Sequence, residues 1–248
     1  MLIEDAIAML QLHEVPGKAA KMRAYYKVER MYWGLTTPVL DDQARQWRQD
    51  LSLADRLQLA AELWASNAHE GRICAAKLLT QARIRPDDSA AWQLLQNWLA
   101  DVDCAAICDY LCLAGHRRLS ADLARMDQME AWPQSPHLWT RKAALSMTLP
   151  WAKMRDPNAV NLPIRERALE WAAELAEDPS KIINNAVAKW IYEMSSNSPE
   201  RAQAFLDVHG DRLRNAAPKD ASRKSPAAAQ SAARDIDMSR MPHLDVGR

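Results

Sequence analysis

The sequence predicts an all-α protein, an α-solenoid built from helical repeats. Three observations carry this prediction. Alanine, leucine, arginine, glutamate and glutamine, which favour helices, dominate a chain of 248 residues that has only 6 glycines. No run of alternating β-branched residues marks a strand. Tryptophan recurs every 34 residues, at Trp64, Trp98 and Trp132, and a period of this size with paired helices is typical of a solenoid.

Amphipathic segments of about 12 to 20 residues, the ordinary length of a helix, follow one another through residues 1–213. Breaks rich in proline and polar residues separate them: "VPGK", "TTPVLDD", "RPDDS", "WPQSP", "RDPN", "EDPS" and "NSPE". We therefore expect one helical-repeat domain over residues 1–213. Residues 214–248 are rich in alanine, serine, proline and charge and offer little to bury, so we expect a disordered, mildly basic tail.

The repeat unit can be read from the residues around each tryptophan. Each unit consists of a helix end, a polar turn and a second helix. A fourth copy, "LAEDPSKIINNAVAKWI", places Leu175 at the position of the tryptophan. One helix pair cannot bury its own apolar face, so neighbouring pairs cover each other, and the second helices line a concave surface that suits an extended ligand.

One carboxylate breaks the pattern of the repeats. Eleven residues after the tryptophan position, the four copies carry Ala75, Asp109, Ala143 and Ala186. A carboxylate in a place where alanine packs between helices is costly unless it is paired or functional. Asp109 is therefore a candidate functional residue, and the alternative is an exposed aspartate on a slightly rotated helix.

Three of the four cysteines, Cys104, Cys108 and Cys112, follow one another at intervals of four, and His116 continues the series. One helix face spreads these side chains over roughly 18 Å, which is too far for one tetrahedral metal ion. We interpret the cysteines as small packing residues and expect no metal site. The chain has neither a phosphate-binding glycine loop nor a Gly-x-Ser-x-Gly motif, and we expect no cofactor.

The net charge is zero, so the total does not indicate a nucleic-acid partner, but the charge is unevenly distributed. Residues 17–48 contain seven Lys or Arg against three acids, and residues 72–85 contain four basic residues and no acid. Local basic segments of this kind can bind phosphate on a protein that is otherwise neutral. The alternative is a solvated helix face.

The first residues, "MLIEDAIAML", are acidic and amphipathic, unlike a signal peptide, and no apolar run approaches 18 residues. Cysteines four residues apart on a helix rarely reach disulfide geometry. We expect a reduced, cytoplasmic protein that is monomeric and does not contact a membrane.

Four segments carry a resemblance to a known family. "MRAYYKVERMYWGLTTP" at 22–38, "LWASNAHEGRICAAKLLTQARI" at 63–84, "CDYL" at 108–111 and "HLWTRKAALSMTLPWAK" at 137–153 resemble, in their order and spacing, bacterial DNA alkylation repair proteins of the AlkD type. The likeness runs from about residue 15 to residue 213. It implies a HEAT-like solenoid with a basic groove that holds duplex DNA. It also implies N-glycosylase activity on cationic N-alkylated purines that stay stacked in the duplex, with two tryptophans and an aspartate around the deoxyribose of the lesion. The carboxylate then stabilises the positive charge that develops as the glycosidic bond breaks.

The resemblance also assigns residues by position. The family aspartate falls on Asp109, which the repeat comparison singles out independently. A family tyrosine near the lesion falls on Tyr25, and a family arginine in the groove falls on Lys142, which keeps the charge but loses the planar fork. We expect further contacts with the DNA backbone from Lys27, Thr37, Arg72, Arg141 and Lys189.

Two positions depart from the family pattern. Ala105 and Lys189 stand where the two tryptophans are expected. Trp190 follows Lys189, but a shift of one residue turns a helix side chain by about 100°, so Trp190 should not take its place. Three functions stay open: an N-glycosylase, a non-catalytic protein that binds DNA structure, and a helical-repeat scaffold whose groove holds a protein partner.

Overall fold

The computed structural model describes residues 2–216, and within this range the chain forms helices and connecting turns without a β-strand. The all-α class and the helical-repeat organisation predicted from the sequence are confirmed. The chain divides into two compact units, one that comprises the residues up to Ala121 and one that begins at Asp122. The predicted tail overlaps the end of the last helix, which reaches Ala216, and otherwise lies outside the described residues.

The first unit contains α1 (Ile3–Gln11), α2 (Pro16–Tyr26), α3 (Thr37–Asp50), α4 (Leu53–Ala65), α5 (His69–Leu78), α6 (Ser89–Leu99) and α7 (Ala105–Ala121). The predicted breaks supply the helix starts. Pro16 opens α2 and Pro199 opens the last helix. Ser52, which lies outside the predicted breaks, caps α4 by accepting a hydrogen bond from the Asp55 amide at 3.2 Å. Helix α5 packs against α3, α4 and α7 and is buried along almost its whole length, Arg72 being half-buried. Groups at its two ends can therefore fix neighbouring loops.

The second unit begins with a 3₁₀ segment (Leu123–Met129) and continues with α8 (Leu138–Ala152), α9 (Leu162–Leu175), α10 (Lys181–Ser195) and α11 (Pro199–Ala216). Helix α10 packs against α8, α9 and α11. Large buried side chains, among them Trp151 and Trp190, fill its core. None of the helices in residues 2–216 combines the length and the apolar character needed to cross a membrane.

The 34-residue spacing of the tryptophans corresponds to direct packing between repeats. Trp64 and Trp98 lie in the last turns of α4 and α6, the first helices of two successive pairs. Their rings are nearly parallel, with an interplanar angle of 6° and centroids 4.6 Å apart, so one repeat stacks on the next. Leu175 is the last residue of α9, which confirms the position of the predicted fourth copy.

Candidate functional site

The loop between α2 and α3, residues 28–36, is fixed to the N-terminus of α5. Glu70 is fully buried, and its carboxylate accepts hydrogen bonds from the backbone N–H groups of Trp33 (3.1 Å), Gly34 (2.7 Å) and Leu35 (3.1 Å). Burial raises the pKa of the Glu70 carboxyl, and these hydrogen bonds oppose the shift. Gly34 has a φ of 73°, and a Cβ there would lie 2.5 Å from the Val15 carbonyl oxygen, so this position requires glycine.

An aromatic cluster of Tyr26, Tyr32 and His69 lies between this loop and α5. The Tyr26 and Tyr32 rings are parallel with centroids 6.1 Å apart, and the fully buried His69 ring lies 4.5 Å from Tyr26. Burial is the largest cause of a raised pKa of the Tyr26 hydroxyl. Tyr25, predicted to contact the lesion, is 54% exposed and meets the Tyr26 ring edge-on at 5.0 Å. The cluster thus supports an exposed aromatic ring that a ligand can reach.

A carboxylate that the sequence analysis did not single out lies next to this cluster. Asp103 is in the turn before α7, and 36% of its side chain is exposed. It forms an ion pair with the guanidinium of Arg30, which comes from the loop between α2 and α3. Burial raises the pKa of Tyr32; Arg30 opposes the shift, and Asp103 adds to it, so both charges act on the aromatic cluster.

The repeat pattern indicates Asp103 by its position near the start of a second helix. Five residues after the tryptophan position the four copies carry His69, Asp103, His137 and Ser180, each at or within two residues of the start of its second helix. Negative charge is favoured there because the helix dipole is positive at the N-terminus. The candidate chosen from the sequence, Asp109, stands at a later position of the same repeat. No local pattern identifies Arg30, because its partner is 73 residues away.

Asp109 lies on the exposed side of α7. The aligned alanines in the first and third copies are fully buried. The exposure of Asp109 fits a rotated helix and also leaves the carboxylate accessible to a ligand, so its functional role stays a prediction. The next residue, Tyr110, joins α7 to the start of α3, since its hydroxyl lies 3.2 Å from the Thr37 hydroxyl. The ammonium of Lys77 lies 4.4 Å from the centre of the Tyr110 ring and also pairs with Asp41. Thr37 is therefore tied to a polar network within the first unit.

Two arginines predicted to contact DNA, Arg72 and Arg141, make contacts inside the protein. Arg72 lies over the Trp64 ring at 4.9 Å and donates a hydrogen bond to the Asp101 carbonyl at 2.8 Å. Arg141 donates to the Asp178 carboxylate at 2.7 Å and to two carbonyls of the preceding turn. Asp101 and Asp178 both stand three residues after the tryptophan position of the following copy, so each arginine joins one repeat to the next.

The lysines predicted to bind DNA are at the surface. Lys27 is exposed at the C-terminus of α2, and Lys189 is exposed on α10. Lys142 is half-exposed on α8, with its ammonium 5.9 Å from the centre of the Trp139 ring. Their side chains are placed where they can reach a phosphate group.

The two positions where the resemblance expects tryptophan carry small or charged side chains. Ala105 is the half-buried first residue of α7. Trp190 is fully buried in the second unit, whereas Lys189 points to solvent. The predicted difference in direction between these neighbours is confirmed, and Trp190 does not supply an exposed ring.

All four cysteines are buried free thiols, which agrees with their interpretation as packing residues. Burial raises the pKa of the Cys74 thiol to about 12 and that of Cys104 to about 11. Both thiols are therefore protonated at neutral pH. Across residues 2–216, no three His, Cys, Asp or Glu side chains are grouped so that they could hold a metal ion.

Comparisons with known proteins agree with this fold. A family model described as "DNA alkylation repair enzyme" matches residues 6–225. A solved structure described as a predicted DNA alkylation repair enzyme from Enterococcus faecalis is similar with a TM-score of 0.66 at 16% identity, over 86% of this chain and 98% of that chain. The crystal structure of smu.31 from Streptococcus mutans UA159 is similar with a TM-score of 0.56 at 17% identity, over 73% of this chain and 90% of that chain. Comparison with curated proteins gave no significant match.

Proposed function

This chain belongs to the DNA alkylation repair enzyme family, whose model matches most of its length, and we propose that it binds duplex DNA and excises cationic N-alkylated purines. The family membership supports a role in DNA repair. We propose in addition a binding surface for duplex DNA, a cationic purine as the lesion, and hydrolysis of its N-glycosidic bond.

The observation that best supports an excision site is that an exposed carboxylate and an exposed tyrosine both adjoin the same aromatic cluster. Tyr25 is exposed on the aromatic cluster, and Asp103 lies next to the same cluster. Asp109 is six residues further along the chain, within α7, where its neighbour Tyr110 contacts Thr37. We therefore favour Asp103 as the catalytic carboxylate and keep Asp109 as the second candidate.

Excision of a cationic base requires few catalytic groups from the protein. In a cationic N-alkylated purine the base leaves with the electrons of the glycosidic bond and becomes neutral, so it needs no proton from an acid. Positive charge develops on the deoxyribose, and a fixed carboxylate stabilises that charge. Water then forms the new bond at the sugar carbon and loses a proton to solvent. Within this scheme Asp103 provides the negative charge and Tyr25 contacts the lesion.

Exposed cations of both units provide contacts for the DNA backbone. In the first unit Lys21, Arg23 and Lys27 are exposed on or next to α2, close in sequence to Tyr25. In the second unit Lys142 and Lys189 lie on α8 and α10, two helices that pack together. Arg72 and Arg141 contribute less, because their guanidinium groups are already engaged in joining the repeats.

Duplex binding as a function of salt tests this surface. Each phosphate contact that a lysine makes contributes about 0.9 to the slope of log K against log salt. Replacing Lys27 and Lys142 together by glutamine should make the slope shallower by about 1.8. The control is Lys153→Gln, which removes an exposed lysine that pairs with Glu193 and should leave the slope unchanged. An unchanged slope in the double variant would remove these residues from the interface.

Binding without base release is the outcome that favours the non-catalytic alternative. The replacement of the two expected tryptophans by Ala105 and Lys189 is the observation that supports it. A protein that retained no affinity for duplex DNA would instead fit the scaffold with a protein partner.

A further inference from the structure

Arg30 places a buried guanidinium group at the candidate site. Its side chain is only 1% exposed, and one terminal nitrogen forms the ion pair with Asp103. The other two guanidinium nitrogens, Nε and Nη1, are buried and have no hydrogen-bond partner in the described structure. A guanidinium removed from water in this way is screened weakly, so its charge acts strongly on the carboxylate beside it.

The position of Arg30 is fixed by the loop that carries it. The Glu70 carboxylate holds the N–H groups of residues 33–35, and the backbone N–H of His69 donates to the Met31 carbonyl at 2.9 Å. Both anchors belong to α5, which is buried against its neighbours. The guanidinium therefore cannot move away from Asp103 unless this part of the first unit is disrupted.

A second arginine adds positive charge on the same side. Burial is the largest cause of a lowered pKa of Arg72, the charge of Arg30 adds to this shift, and Asp103 and Asp101 oppose it. Two arginines and two carboxylates therefore interact. An incoming cationic base meets a site whose negative charge is partly offset by the protein.

We propose that Arg30 partly offsets the charge of Asp103 and so restrains the excision of cationic bases. The inference rests on the proposed function with Asp103 as its carboxylate. It concerns how this chain adjusts the reaction, since Arg30 acts through its ion pair with Asp103. In the absence of the guanidinium, Asp103 would present its full charge to the developing cation.

The test uses the full chain and duplex DNA that contains 7-methylguanine. Arg30→Met removes the charge and keeps a side chain of similar length that suits a buried place. It leaves Asp103 without its cation, and because 36% of the Asp103 side chain is exposed, water can solvate that carboxylate. The rate of base release should increase on the order of tenfold or more. Arg30→Lys keeps the positive charge and should release base at the rate of the wild type.

A second pair of variants shows whether the effect passes through the carboxylate. In an Asp103→Asn background, Arg30→Met should give no increase, because the charge that it would unmask is absent. Thermal unfolding of each variant separates this from a structural effect, which would lower stability in both backgrounds. The expected pattern is an increase in base release where Asp103 is present and no increase in the Asp103→Asn background.

A rate for Arg30→Met equal to or below that of the wild type, in a folded protein, overturns the inference and indicates that Arg30 only positions the carboxylate. Duplex affinity measured on the same samples keeps the two proposals apart. If the variants bind DNA with the affinity of the wild type but show no increase, the inference alone fails. If none of the proteins binds duplex DNA, both the inference and the proposed function fail.

Discussion

Arg141 and Lys142 are neighbours on α8 with different contacts. The Arg141 guanidinium is paired with Asp178, whose side chain is largely buried, whereas Lys142 is half-exposed beside Trp139. A count of the basic residues in the sequence treats Arg141 and Lys142 as equal. The structure separates them into one residue that joins two repeats and one that can reach a ligand.

This difference gives a matched pair of variants. Arg141→Gln leaves a largely buried carboxylate without its cation and should lower the free energy of unfolding by about 1–3 kcal/mol. Lys142→Gln should leave stability within about 0.5 kcal/mol of the wild type while weakening duplex binding at low salt. Urea unfolding and DNA titration of both variants check this, and the reverse pattern would contradict the assignment.

The role of Asp109 stays a prediction, but the exposure of its side chain could not be read from the repeat. The spacing correctly aligned the second helices, but it does not specify how far each helix is rotated about its axis. Asp109 consequently faces solvent although the aligned alanines in the first and third copies are buried. Asp103 had the simpler signal, a carboxylate at a helix N-terminus, and its partner lies far away in sequence.

At the scale of elements, the helix boundaries were largely predictable because proline and serine mark them chemically. Pro16 and Pro199 start helices as expected, and the tryptophan period corresponds to a stack between α4 and α6. The attachment of the loop between α2 and α3 to α5 could not be predicted, because it depends on one buried glutamate and backbone groups more than 30 residues away.

We expect the stability of that attachment to depend on pH through Glu70. Burial raises the pKa of Glu70 in the folded protein, so the folded state holds this proton at pH values where the unfolded chain has released it. The stability that Glu70 contributes is complete below the unfolded pKa of 4.5 and declines as the pH rises through the folded pKa. The difference in unfolding free energy between wild type and Glu70→Gln should therefore decrease with rising pH, as urea unfolding at several pH values would measure. An increase with pH would mean that the backbone hydrogen bonds outweigh burial.

At the scale of the whole chain, ion pairing explains why net charge was a poor guide to function. Many arginines in the predicted basic segments have carboxylate or carbonyl partners, as Arg30 and Arg72 do. The surface formed by residues 17–48 and 72–85 is therefore less basic than the number of Lys and Arg in these segments suggests. The partners of Arg30 and Arg72 lie in the turn before α7, 73 and 29 residues away, and the sequence alone does not pair them. The cations that stay exposed, including Lys27 and Lys189, carry the proposal of a DNA-binding surface.

The central claim is that a carboxylate at the start of α7 supports base excision. Release of 7-methylguanine from alkylated duplex DNA, compared among wild type, Asp103→Asn and Asp109→Asn, tests it most directly. We expect wild type to release the base, Asp103→Asn to release it at least about a hundredfold more slowly, and Asp109→Asn to resemble the wild type. Release by Asp103→Asn at the wild-type rate, or no release by the wild type at all, would contradict the account.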